Sequence, residues 1–216
     1  MERWVQLVNP HGRKYSTRQL NALARKTEKT CVEAFEYASP EVREAGRGWY
    51  SVAHAEAQIF AQEAGISLAR SAAIIAVLSP RTRWRLNLED TWSLYEYDAC
   101  RHALPKNTAK AKRLLAGESI CSVLGGQKVI AFWQNIARPL HSQAVTIDSW
   151  IARAVGVSEE DLQRWGVYQA VARGITDAAR KCGVRPLEMQ AILWVVTRIQ
   201  AGVKADLEEA RLPTPW

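Results

Sequence analysis

The sequence predicts an all-α protein, on three observations. Apolar residues recur at three- and four-residue spacings along most of the 216 residues, the period of helices with one buried face. Turn-forming residues fall between these stretches rather than inside alternating ones, which leaves strands no clear place. Pro186 stands at the start of one periodic run and Gly202 just beyond its end, the asymmetry that helix termini favour.

The elements follow in order. Ser16 or Thr17 caps a polar helix reaching about Tyr37, and Pro40 with Gly46 to Gly48 punctuates what comes next. WYSVAHAEAQIFAQEAG, from Trp49, forms a second long helix that ends at Gly65. Ser67 caps LARSAAIIAVLS, apolar on nearly every side and so placed in the middle of the fold. A short apolar run also suits a buried strand, but its small alanines favour close-packed helix. Pro80 stops it, and the basic stretch RTRWRLN leads to a helix at about Leu88 to Ala99. Shorter helices are predicted from Asn107, from Glu118 to Leu124, and from Gln127 to Ala137. Four more follow near Asp148 to Val155, Ser158 to Trp165, Val167 to Cys182 and Pro186 to Gln200. The acidic tail ADLEEARLPTPW is expected to fray.

Twenty-nine Lys and Arg against twenty-two Asp and Glu give a formal charge of +7, which favours a polyanionic partner, nucleic acid before an anionic membrane. Cys31, Cys100, Cys121 and Cys182 are far apart and lack zinc-ligand spacing, so structural thiols are expected and no metal. The start of the chain has no secretory apolar segment, and the run from Ala72 to Leu78 is too short to cross a bilayer. A soluble, cytoplasmic monomer without cofactor, in a single domain spanning 1 to 216, is the expectation.

Chemistry concentrates between Ser122 and Gly156. A Gly-Gly turn followed by lysine, SVLGGQKVIAFW, precedes by twenty residues the aspartate of VTIDSWIARAVG. A lysine at an interhelical turn and an aspartate opening a later helix can converge on one pocket, as potential nucleophile and charge stabiliser. Asp148 has a plainer reading as an N-cap, and the two roles are compatible. Lys128 is either a nucleophile or a phosphate-contacting or exposed lysine.

Three segments in order resemble the helix-hairpin-helix superfamily of DNA glycosylases. IIAVLSPRTRWRLNLEDTW resembles the apolar helix and turn that such enzymes lay against the lesion strand; LGGQK resembles the glycine hairpin and lysine of lyase-competent members; TIDSWIARAVG resembles the helix that carries the catalytic aspartate. SPRTRWRLN, GQKVIAFWQNI, TIDSW and QAILW are most similar to a divergent phage and bacterial branch. Members of that branch handle hypermodified phage bases: an anti-phage glycosylase acting on glucosylated hydroxymethylcytosine, and relatives of the α-glutamyl/putrescinyl-thymine pyrophosphorylases. The likeness covers about Trp49 to Arg198. It departs from the family where Leu124 takes the first hairpin glycine's place, where Arg81 replaces a glutamine, and in having no four-cysteine cluster loop.

The resemblance implies two helical lobes with a cleft between them, one approximately 50–145 and the other 1–49 plus 146–216. It implies hydrolysis of the N-glycosidic bond of a modified base in double-stranded DNA, in antiviral defence, with an abasic product. Asp148 would stabilise the charge that develops on the sugar and orient the attacking water. Lys128, if it attacks, would add strand scission. Ser79, Arg81, Trp84 and Asn87, with Arg83 and Arg85, would fill the vacated stack and hold flanking phosphates; alternatively they form a solvated basic turn. Gly125, Gly126 and Gln127 form the hairpin. Gln190 and Trp194 share a helix face that either reads an extruded base or packs in the core, while Trp49, Tyr50 and His54 border the pocket or serve as core. Arg13, Lys14, Arg18, Arg25, Lys26 and Lys29, with Lys106, Lys110, Lys112 and Arg113, would supply the DNA backbone footprint. Base modification on the thymine pyrophosphorylase pattern and noncatalytic DNA binding are the alternatives.

Overall fold

The computed structural model describes residues 15 to 202, which are helical without any strand. The helices are α1 (Thr17–Tyr37), α2 (Pro40–Glu63), α3 (Leu68–Leu78), α4 (Trp84–Tyr97), α5 (Pro105–Leu115), α6 (Ile120–Val123), α7 (Gln127–Ala137), α8 (Ser149–Val155), α9 (Val167–Lys181) and α10 (Pro186–Gln200). The tail from 205 to 216, together with Arg13 and Lys14, lies outside the described residues.

Local chemistry sets many of these boundaries. Ser16 accepts the Gln19 backbone N–H at 3.3 Å while the Gln19 side chain takes the Ser16 N–H at 2.9 Å, a reciprocal cap that satisfies two orphan donors of α1. Ser67 caps α3 through the Arg70 N–H, and Pro105 and Pro186 occupy first-turn positions where no N–H is needed.

Several boundaries differ from the sequence expectation, among them α6, which spans only Ile120–Val123. α2 does not begin at Trp49; it runs from Pro40 straight through Gly46 and Gly48. α4 begins at Trp84 rather than Leu88, because the turn before it closes quickly: Arg81 takes a φ of 65° and the Thr82 N–H reaches the Ser79 carbonyl at 3.2 Å. α5 begins at Pro105, two residues before Asn107. The helix expected from 158 to 165 is a single 3-10 turn, Asp161–Gln163, cut short where Arg164 turns extended.

The helices group into two compact units. One comprises 15 to 49 and 147 to 202, the other 50 to 146; the peptide after Trp49, inside α2, and the peptide after Thr146 are the crossings. In the first unit α1 lies along α9, and α10 packs on α8, α9 and α1. Two glycines permit this closeness. A Cβ on Gly174 of α9 would sit 2.4 Å from the Ala24 carbonyl oxygen, and one on Gly46 would sit 2.5 Å from Ile192, both far inside van der Waals contact. Gly46 is therefore a packing residue and not a helix breaker.

In the second unit α3 is central, buried from Ser71 to Leu78 and packed by α4, α5 and α7. Phe60, Ile74, Leu78, Leu94 and Leu114 form its core. Two buried or half-buried charges tie down loops there. Asp90 accepts the backbone N–H groups of Arg101, His102 and Ala103 at 2.6 to 3.1 Å. Arg70 donates to the carbonyls of Leu114, Gly117 and Glu118, which ties the turn after α5 to α3. Among the described residues, no single helix is long and apolar enough to cross a membrane.

Candidate functional site

Asp148 lies in the first unit at the start of α8, with extended backbone. Its Oδ1 accepts the Ile151 N–H at 2.9 Å, and its Oδ2 accepts the indole Nε1–H of Trp194 at 3.0 Å. Each oxygen thus has one fixed donor, and the residue remains partly exposed. The cap expected from sequence is present, yet it engages only one oxygen. A carboxylate held at both ends keeps one orientation, and the lone pairs left over can face a ligand. The Ile147 N–H donates to the Tyr168 hydroxyl at 3.2 Å, fixing the residue before it.

Trp194 is half-buried on α10 and belongs to an aromatic group. Its ring meets that of Trp49 at 6.0 Å and 59°, and the Arg198 guanidinium lies 4.3 Å over its face. Arg198 also lies 5.4 Å over Trp150. Gln190 is on the preceding turn of α10, buried at 5% exposure. Of the residues singled out by sequence, this unit therefore brings together Asp148, Trp194 and Trp49.

Lys128 belongs to the second unit. From the first turn of α7 its Nζ donates to the Ser79 hydroxyl at 3.4 Å and lies 5.9 Å over the Phe132 ring. Ser79, at the end of α3, in turn donates to the Ala76 carbonyl at 2.9 Å. Lys128 and Ser79 are thus brought together, half-buried. Gly126 precedes α7 with a φ of 82°; it is exposed, and Gly125 and Gln127 beside it are partly buried.

The basic turn divides between solvent and interior. Arg81, Arg83 and Arg85 are exposed, Trp84 is half-buried, and Asn87 is buried with its Nδ2 donating to the Ile75 carbonyl at 3.1 Å. Asn87 holds α4 to α3. Trp84, Arg85 and Asn87 stand on the first turn of α4 and not in the preceding loop. Tyr50 is also buried, its hydroxyl donating to Thr146 at 3.0 Å; Asn135 donates to the same oxygen at 3.2 Å and accepts from Ser142. His54 lies 2.7 Å from the Ile136 carbonyl through Nδ1, and since a carbonyl only accepts, that nitrogen carries the proton.

On α1, Arg18, Arg25, Lys26 and Lys29 are exposed, as are Lys106 and Arg113 of α5. Some of this charge is already matched: Lys29 by Glu33, Lys112 by Asp98, and Arg113 by Glu118. The residues that sequence reading missed are Arg198 and Trp150. A signal existed for the first, a cation one turn after a tryptophan in an otherwise apolar helix. The polar chain of Asn135, Ser142 and Thr146 gave none, because its members meet only after folding.

Described residues that are mainly helical and without strand, with a twice-anchored, partly exposed aspartate, define the class to this point. The chain belongs to the family described as Family of unknown function (DUF7178), whose model matches residues 14–201. No curated protein and no solved structure matches it.

Proposed function

We propose that this protein is a DNA glycosylase of helix-hairpin-helix type that hydrolyses the N-glycosidic bond of a modified base. The observation that carries the proposal is Asp148, each of whose oxygens accepts one N–H while the residue stays partly exposed. As the bond between C1′ and the base nitrogen lengthens, its electron pair leaves with the base and positive charge grows on the sugar. A fixed carboxylate stabilises that charge without reorganising. Water then bonds to C1′ and gives up a proton, for which Asp148 is the acceptor; the departing base anion takes up that proton in turn, which restores the carboxylate and leaves the free base and an abasic sugar.

The surplus of basic residues supports a polyanionic substrate, and the exposed arginines of the turn before α4 suit phosphate contacts. Lys128 is auxiliary in this reading. Borohydride trapping of a covalent adduct would reveal attack by its amine, and an untrapped abasic product would mean plain hydrolysis. The modified base we favour is of the hypermodified or glucosylated phage kind, which fits a role in defence.

The test is incubation with plain duplex and with duplex carrying glucosylated hydroxymethylcytosine or hypermodified thymine, with mass spectrometry of the released base. Abasic sites on a modified duplex are expected, and Asp148→Asn is expected to slow their formation by about 10²- to 10⁴-fold. Full activity in Asp148→Asn would overturn the assignment. Salt-sensitive binding with no released base from any duplex would make the protein a DNA-binding one.

A further inference from the structure

Arg198 has no part in the chemistry assigned to Asp148, yet it is only 9% exposed and stands beside the buried Val195 and Val196 of α10. A guanidinium there has surrendered most of its hydration, a cost that a leucine or methionine filling the same space would not incur. The cation therefore has work that packing alone does not require. Its neighbours include two indole rings. Arg153 lies over Trp150 at 5.7 Å, Arg198 over Trp150 at 5.4 Å and over Trp194 at 4.3 Å, and Trp194 meets Trp49 at 6.0 Å. Cations and indoles alternate from Arg153 to Trp194, and the tightest cation contact falls on the ring whose N–H holds Asp148.

A positive charge over an indole face is attracted to the π density and polarises it toward itself. The hydrogen on Nε1, at the ring edge, becomes more positive and donates more strongly. Polarisation of this kind reinforces the next hydrogen bond in the series. We infer that Arg198 is a positioning residue: acting through Trp194, it locks the indole and strengthens the hydrogen bond that fixes Asp148. The catalytic consequence rests on the glycosylase reading; the control of the Trp194 to Asp148 bond by Arg198 does not.

The experiment uses both levels. In ¹⁵N-labelled protein, the Trp194 indole resonance is identified by its loss in Trp194→Phe, and its solvent exchange is followed in wild type, Arg198→Met and Arg198→Lys. Exchange is expected to accelerate about tenfold or more in Arg198→Met, the scale of a desolvated cation–π contact, and to stay within about threefold of wild type in Arg198→Lys. On the modified duplex from which wild type releases the base, Arg198→Met is expected to lower the single-turnover rate about tenfold while the Kd for the duplex holds within about twofold.

Unchanged indole exchange in Arg198→Met overturns the inference, as does a loss of affinity that accounts for the whole loss of rate. Should the methionine variant not fold, the lysine variant decides: a native near-ultraviolet circular dichroism spectrum with lost indole protection would overturn the role of the charge. If wild type releases no base while the indole behaves as expected, the glycosylase reading fails and the positioning role stands.

Discussion

At the scale of single residues, Asp148 shows how a plain capping aspartate acquires a second constraint. The capping bond to Ile151 is local and legible in sequence; the bond from Trp194 comes from a residue forty-six positions later and could not be read from spacing. Sequence set Trp194 between core packing and base reading, and the structure gives its N–H to a carboxylate. Trp194→Phe keeps the ring and deletes the donor. It is expected to lower the rate of base release about 10- to 100-fold, the value of one hydrogen bond to a charged group, with DNA affinity unchanged. Single-turnover kinetics would check it. Cys31 offers a residue-scale test of burial: loss of hydration, with a lesser contribution from Cys182, pushes its thiol from 9.0 up to about 12. The folded protein therefore favours the neutral thiol. The associated stability is full below about pH 9 and drains away as pH rises from 9 toward 12, where only the unfolded thiol ionises freely. Urea midpoints at pH 8 and pH 10.5 are expected to separate more in wild type than in Cys31→Ala, and iodoacetamide at pH 8 to label exposed Cys121 long before Cys31.

At the scale of elements, helix existence was legible nearly throughout, because periodicity and caps are local properties. Gln127–Ala137 and Pro186–Gln200 lie where the residues place them. Errors arose where tertiary packing decides. Glycine in a helix reads as a break unless a neighbouring backbone needs its missing side chain, and Ile192 supplies that need for Gly46. The same logic separates two glycine substitutions. Gly174→Ala drives a methyl group into Ala24 and Thr27 of α1 and is expected to destabilise the fold by about 1–3 kcal/mol. Gly48→Ala meets nothing within 4 Å and is expected to stabilise by about 0.4–1 kcal/mol through the unfolded chain. Chemical denaturation of the two variants would show opposite shifts.

At the scale of the whole molecule, the formal charge of +7 predicts electrostatic association with DNA. Binding to any duplex is expected to weaken about tenfold or more between roughly 50 and 200 mM salt, with the same slope in Asp148→Asn, since the slope counts phosphates and not chemistry. Fluorescence anisotropy titrations would measure it. The division of the chain carries one more consequence, for its synthesis. Among the described residues the unit from 50 to 146 is continuous, whereas α1 precedes it and its long partner, α9, is made only after that entire unit. A nascent chain can thus complete the unit from 50 to 146 early, while the face of α1 that α9 covers waits for that partner to be made.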